Sequence, residues 1–242
     1  RGTVSCQHPG RTDPGRWQPS FTPGALARMT VLYAIELFGV AVFAMAGALE
    51  AARNRLDLFG VLVLAFVSAL GGGTLRDLLL NVSPLAWIGD VNLAYTAFGG
   101  GLLMFFLARY FAVPFKVLLY ADAVGLAAFT VSGTQAALAL ELPGLIVVMM
   151  GMASGIFGGI LRDIMANEVP LIFRRDIYAT ASFCGAILVW LGHQAWPGSP
   201  WVWVAGFALV LTVRAAAIHW RLSLPGFLST VAYRKDNHPR DL

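Results

Sequence analysis

The sequence predicts an all-α membrane protein: seven transmembrane helices, arranged as two inverted three-helix repeats plus a seventh helix. Three observations carry that prediction. The chain is 58% hydrophobic and only 12% charged, with a mean hydropathy of +0.71, outside the range of soluble domains. It holds seven apolar runs of about 20 residues or more, each enough to cross roughly 30 Å of hydrocarbon. And the stretch Gly71-Gly72-Gly73-Thr74-Leu75-Arg76-Asp77 returns 86 positions later as Phe157-Gly158-Gly159-Ile160-Leu161-Arg162-Asp163.

The spans are expected at Thr30–Ala52, Leu56–Leu80, Val91–Phe111, Lys116–Leu140, Leu142–Ala166, Ile177–Trp196 and Trp201–Arg221. The 86-residue offset aligns the first three with the next three without a gap. Gly39 falls on Gly125, Phe43 on Phe129, Gly47 on Gly133, Ser68 on Ser154, Asn81 on Asn167, Pro84 on Pro170, Asp90 on Asp176 and Gly99 on Gly185; Glu36 falls on Asp122, keeping a carboxylate. Repeat 1 is therefore residues 29–112, repeat 2 residues 113–197, and the seventh helix 198–222. Residues 1–28, polar and rich in Pro, Gly and Arg, are expected to be a disordered leader before a natural start at Met29. Residues 223–242 form a tail.

Orientation follows from the loops. Arg53, Arg55, Arg109, Lys116, Arg174, Arg175, Arg221, Arg234, Lys235 and Arg240 lie on one side, while the loops 81–90, 141 and 197–200 carry no Lys or Arg. The positive-inside rule makes the basic side cytoplasmic, with the N-terminus outside and the C-terminus inside. Three spans per repeat is an odd number, so the second copy enters the membrane inverted. The pI near 9.4 reflects this sorting and does not indicate a nucleic-acid partner. Cys6 and Cys184 suggest no disulfide framework or metal cluster.

Small residues recur every fourth position as Ala65, Ala69 and Gly73 and as Gly151, Gly155 and Gly159, a face on which another helix can approach closely. Packing accounts for that periodicity. The adjacent glycines Gly71, Gly72, Gly73, Gly158 and Gly159 weaken the helix beyond what packing needs, which points to kinks beside a cavity. Arginine and aspartate are costly in hydrocarbon, about 2.5–3.5 kcal/mol each at the centre. With the second and fifth spans centred on Ser68 and Ser154, Arg76 and Arg162 lie about 12 Å from the middle in opposite directions. The matching depths pair Glu36 with Arg76 and Asp122 with Arg162, leaving Asp77 and Asp163 to cap kinked backbone or meet water. The competing reading is that the arginines snorkel to headgroups. Paired, the charges define two vestibules around a middle lined by Ser68 and Ser154, whose hydroxyls suit weakly held monovalent cations. Thr130, Ser132 and Thr134 add hydroxyls to the fourth span. Arg214 is read either as a lipid anchor or as a partner for the repeat core. No nucleophile–base arrangement, cofactor motif or paired histidine is present, so the chain is not read as an enzyme.

The doubled Gly-Gly-x-Leu-Arg-Asp motif, each copy followed seven residues after its Asp by Pro84-Leu85 or Pro170-Leu171, resembles the prokaryotic trimeric intracellular cation (TRIC) channel family, also labelled a bacterial glycine transporter domain. The resemblance covers roughly Val31 to Arg221. It implies a homotrimer with a pore in each subunit, framed by the second and fifth spans kinked at the glycines, that passes monovalent cations and chiefly potassium. It implies no cofactor beyond K+ or Na+ in transit, and membrane lipid and a second and third copy of the chain as partners, in a bacterial inner membrane. Phe157 in place of the first glycine departs from the first copy and weakens the expected symmetry of the kinks. A secondary transporter of a small zwitterion such as glycine is the alternative, since inverted repeats and broken helices serve it equally well.

Overall fold

A computed structural model describes residues 23–111, 113–174 and 177–220, together with Leu222. Seven long helices stand among the described residues: α1 (Pro23–Arg53), α2 (Leu58–Leu79), α4 (Val91–Tyr110), α5 (Phe115–Ala139), α6 (Gly144–Met165), α8 (Ala179–Ala195) and α9 (Pro200–Trp220). Two single-turn helices, α3 (Ala86–Gly89) and α7 (Leu171–Arg174), open just after Leu85 and at Leu171 of the repeated Pro-Leu pairs. Six of the long helices are apolar enough over 20 residues or more to cross a membrane. The sixth expected span is shorter than read: α8 has 17 residues, about 26 Å, the lower end of what spans a bilayer. Its end is set by Pro197-Gly198, where Gly198 takes φ 79°. The fold is an all-α membrane protein.

One boundary is corrected. Residues 23–28, expected within a disordered leader, are helical and open α1 at Pro23, a residue suited to a first helical turn. The leader's residues 1–22, including Cys6, and the tail from 223 lie outside the described residues.

The duplication is visible in the backbone. Arg55 and Glu141, 86 positions apart, both take positive φ (55° and 54°), as do Asn81 and Asn167 (53° and 56°). Each sits just past a helix end in the left-handed conformation that terminates helices, where Asn pays the smallest penalty after Gly. Val82 N donates to Asp77 O and Glu168 N to Asp163 O, both at 2.8 Å, closing the same loop twice. The repeated asparagines are helix stops.

Packing repeats as well. Helix α1 packs on α2 and α4 as α5 packs on α6 and α8; α1 meets α5, and α2 meets α6, about the pseudo-two-fold axis. Phe43 and its counterpart Phe129 stack on that axis, centroids 5.5 Å apart and planes 18° off parallel. Helix α5 is the most enclosed, with most residues from Leu118 to Ala137 buried, because α9 packs on it as well as α1, α6 and α8. Helix α4 buries only Leu93, Ala97, Gly101 and Met104, a stripe about one turn apart. Exposed Trp201 and Trp220 stand at opposite ends of α9, about 28 Å apart along its axis, the spacing of two aromatic interface belts.

Candidate functional site

Helices α2 and α6 run unbroken through their glycines, and the missing Cβ atoms explain two of them directly. A Cβ on Gly72 would run into the carbonyl oxygen of Ser154, and one on Gly158 into the carbonyl oxygen of Ser68. These are the same contact, made twice across the axis. Gly47 and Gly133 do likewise against the Cβ atoms of Ser68 and Ser154, and only glycine allows such approach. Gly71 faces Leu161 Cδ1, which a Cβ would approach to 2.7 Å. Gly73 differs: a Cβ there would meet nothing nearer than 3.9 Å. Its counterpart Gly159 lies under Tyr178 Oη and Asp122 Oδ1, at 2.9 and 3.2 Å from an added Cβ.

Ser68 and Ser154 sit in this crossing, fully buried, and neither hydroxyl has a hydrogen-bond partner among the described residues. In this conformation they face packed protein. Of the hydroxyls on α5, Thr130 Oγ1 pairs with Ser182 Oγ at 2.6 Å, and Thr134 donates back to Thr130 O at 2.7 Å.

About two turns beyond Ser68 and Ser154, at each end, lies a buried arginine. Arg76 Nη1 is 3.3 Å from Glu36 Oε1 and donates to Ser132 Oγ at 2.7 Å; Ser132 in turn donates to Glu36 at 3.1 Å. Arg162 Nη1 donates to Asp122 Oδ1 at 2.8 Å, with both side chains fully buried. The pairs expected from depth are therefore present, and the arginines do not snorkel. Each arginine also holds the aspartate that follows it, Nε to Oδ1 at 2.8 Å in both copies. The other oxygens, Asp77 Oδ2 and Asp163 Oδ2, accept from Ala86 N and Leu171 N at 2.8 Å, the first residues of α3 and α7. Asp77 and Asp163 thus tie the arginine to the next loop; they do not cap a kink in their own helices.

The two ends differ in one buried cation. Arg214 of α9 is 1% exposed, which excludes the lipid-anchor reading. Its Nη2 is 4.0 Å from Asp122 Oδ2, its Nη1 donates to Ile177 O at 3.3 Å, and its guanidinium lies 4.6 Å over the Tyr178 ring. Asp122 is shared by two guanidinium groups, whereas Glu36 serves one. Arg214 is thus a partner for the repeat core, the second of the two sequence readings; Tyr178 was not legible as part of the site, because it precedes its helix. Outside the spans, Asp90 caps α4 by accepting from Asn92 N at 3.0 Å. Its carboxyl is held below the usual carboxylate range, first by the Tyr33 hydroxyl and then by that backbone N–H. Among the described residues no group of three or more His, Cys, Asp or Glu side chains is placed to hold a metal.

Small residues crossing at the axis, with a buried arginine–carboxylate cluster at each end, define a duplicated helical membrane protein whose polar groups are enclosed within the bundle. The chain belongs to the family whose model is described as Glycine transporter, the TRIC family, matched twice, over residues 33–109 and 119–194, one match per repeat. It is 40% identical to the UPF0126 membrane protein of Vibrio cholerae over 83% of this chain and 84% of that one. It is also 40% identical to the UPF0126 inner membrane protein YadS of Escherichia coli K12, over 81% and 96%. Among solved structures, the TRIC trimeric intracellular cation channel orthologue from Rhodobacter sphaeroides superposes with a TM-score of 0.75 at 37% identity, covering 80% of this chain and all of that one. A second structure, described under conductance through TRIC cation channels, gives 0.74 at 35% identity, covering 83% and 98%.

Proposed function

We propose that this protein is a monovalent cation channel, chiefly for potassium, that works as a homotrimer with a pore in each subunit between α2 and α6. The observation that carries it is the symmetric crossing of those helices at Gly72 and Gly158, flanked at equal depth by Arg76 and Arg162 with their carboxylates. The likeness to solved cation channels at 35–37% identity supports the same reading. A cation entering one vestibule meets Glu36, Arg76 and Asp77, and leaves past Asp122, Arg162 and Asp163. Between them it passes Ser68 and Ser154, whose free hydroxyls and nearby carbonyls replace lost water ligands. The crossing is shut in this conformation, so conduction requires α2 and α6 to part or bend, and the glycine runs Gly71–Gly73 and Gly158–Gly159 make that movement cheap. The N-terminus lies outside and the C-terminus in the cytoplasm of a bacterial inner membrane, as the basic loops support.

The family's description favours one second reading, secondary transport of glycine or a similar zwitterion. Purified protein in planar bilayers under a potassium gradient separates the two. Unitary currents reversing near the potassium potential are expected. Saturable glycine uptake into vesicles, with no unitary events, overturns the channel.

A further inference from the structure

We propose that the cavity beside Glu50 is a binding station for a small monovalent cation, at the Asp163 mouth alone. The inference rests on the channel reading and names a site that the two-fold symmetry does not generate. A cavity of about 200 Å³, room for several waters at roughly 30 Å³ each, is lined by Glu50, Arg53, Phe115, Asp163, Glu168 and Leu171 among others. The repeat-related positions of Glu50, Arg53 and Glu168 are Ala136, Ala139 and Val82, so only Asp163 has a counterpart, Asp77. Two carboxylates have been added at one end.

Glu50 is the one with capacity for a ligand. Its side chain is 7% exposed, and Oε1 accepts from Asn54 Nδ2 at 3.2 Å. Oε2 accepts no hydrogen bond, and Arg53 Nε stands off at 3.8 Å. Arg53 is drawn to the rim, its guanidinium 4.6 Å over the Phe115 ring and its side chain 42% exposed. Asp163, by contrast, is committed to Arg162 and to Leu171 N. A buried carboxylate oxygen that accepts no hydrogen bond among the described residues, with only a half-exposed guanidinium at 3.8 Å, is costly, and a cation at the cavity wall supplies a closer partner. One free oxygen with water in the remaining positions suits a weakly held monovalent ion. A divalent ion demands several carboxylates or carbonyls at once, and no such group stands among the described residues.

The test compares the full chain with Glu50→Gln and Glu50→Asp in planar bilayers, at low and high potassium. For Glu50→Gln, unitary current carried by ions entering from the Asp163 side should fall about two- to threefold at low salt, the scale of one poorly screened charge. It should fall less from the opposite side, and the difference should vanish at high salt, with Glu50→Asp close to the original. Thermal unfolding in detergent gives a readout independent of conduction: potassium, against a large organic cation at equal ionic strength, should stabilise the original chain and not Glu50→Gln. Unchanged currents from both sides at low salt, or no potassium-specific stabilisation of the original chain, overturn the station. A chain that never conducts, yet loses potassium stabilisation on Glu50→Gln, keeps the station and sinks the channel.

Discussion

Replacing Gly72 and Gly73 by alanine one at a time separates two jobs that the sequence superimposes. Alanine raises helix propensity by about 1 kcal/mol over glycine at either site. At Gly72 that gain meets a backbone carbonyl: the new Cβ would collide with Ser154 O, and a helix backbone cannot step aside as a flexible side chain can. Overpacking of that kind costs about 1–3 kcal/mol, so Gly72→Ala should be net destabilising by up to about 2 kcal/mol. At Gly73 the nearest atoms, Arg76 Nη2 and Phe129 Cε1, lie at 3.9 Å, ordinary contact, so Gly73→Ala should be neutral or stabilising by up to about 1 kcal/mol. Unfolding of the two variants in detergent, followed by temperature or denaturant, should move in opposite directions. Unitary recordings then add the second axis. If the triplet must bend for conduction, Gly73→Ala yields a more stable protein with reduced open probability. A Gly72→Ala variant more stable than the original chain refutes the close crossing, and normal gating of Gly73→Ala refutes the bend.

Three further outcomes are expected. Arg76→Leu alone should destabilise by about 3 kcal/mol, because it takes the cation from Glu36 and the buried Asp77, and adding Glu36→Leu should recover part of that loss in the same unfolding assay, since Glu36 serves no second guanidinium among the described residues; a double variant worse than the single one contradicts the pairing. Ser68→Ala and Ser154→Ala should leave stability within about 1 kcal/mol, since neither hydroxyl has a partner to lose, while unitary conductance falls if the ion exchanges water for these oxygens; unchanged conductance in both removes them from the pathway. A reporter fused after Leu242 should behave as cytoplasmic, and a periplasmic signal reverses which vestibule is inner.

What the sequence made legible, and what it hid, follows from how each feature is encoded. The 86-residue offset survives without a gap, so pairs related by it, such as Phe43 with Phe129, could be placed before any coordinates. Depth along a helix is linear in residue number, which is why Glu36 and Asp122 could be matched to Arg76 and Arg162. The links from each arginine to the adjacent aspartate were hidden, because neighbours on a helix point 100° apart and spacing argues against their meeting. The guanidinium reaches back through Nε all the same, at 2.8 Å in both copies, and leaves the second carboxylate oxygen for Ala86 N or Leu171 N. Propensity is a local quantity and makes the glycines look like kinks, whereas the carbonyl that Gly72 must clear belongs to residue 154. Arg214 was ambiguous for a related reason: its depth fits both a headgroup and a core partner, and its burial beside Asp122 and Tyr178 decides between them. Glu50 is hidden for the opposite reason: a repeat shows itself through its agreements, and Glu50 is a mismatch. The positions where an inverted repeat disagrees, Glu50 against Ala136 and Glu168 against Val82, are those where the two mouths can acquire different work. In a fold whose symmetry would otherwise make both faces alike, charged mismatches of this kind are the residues by which the chain distinguishes one side of the membrane from the other.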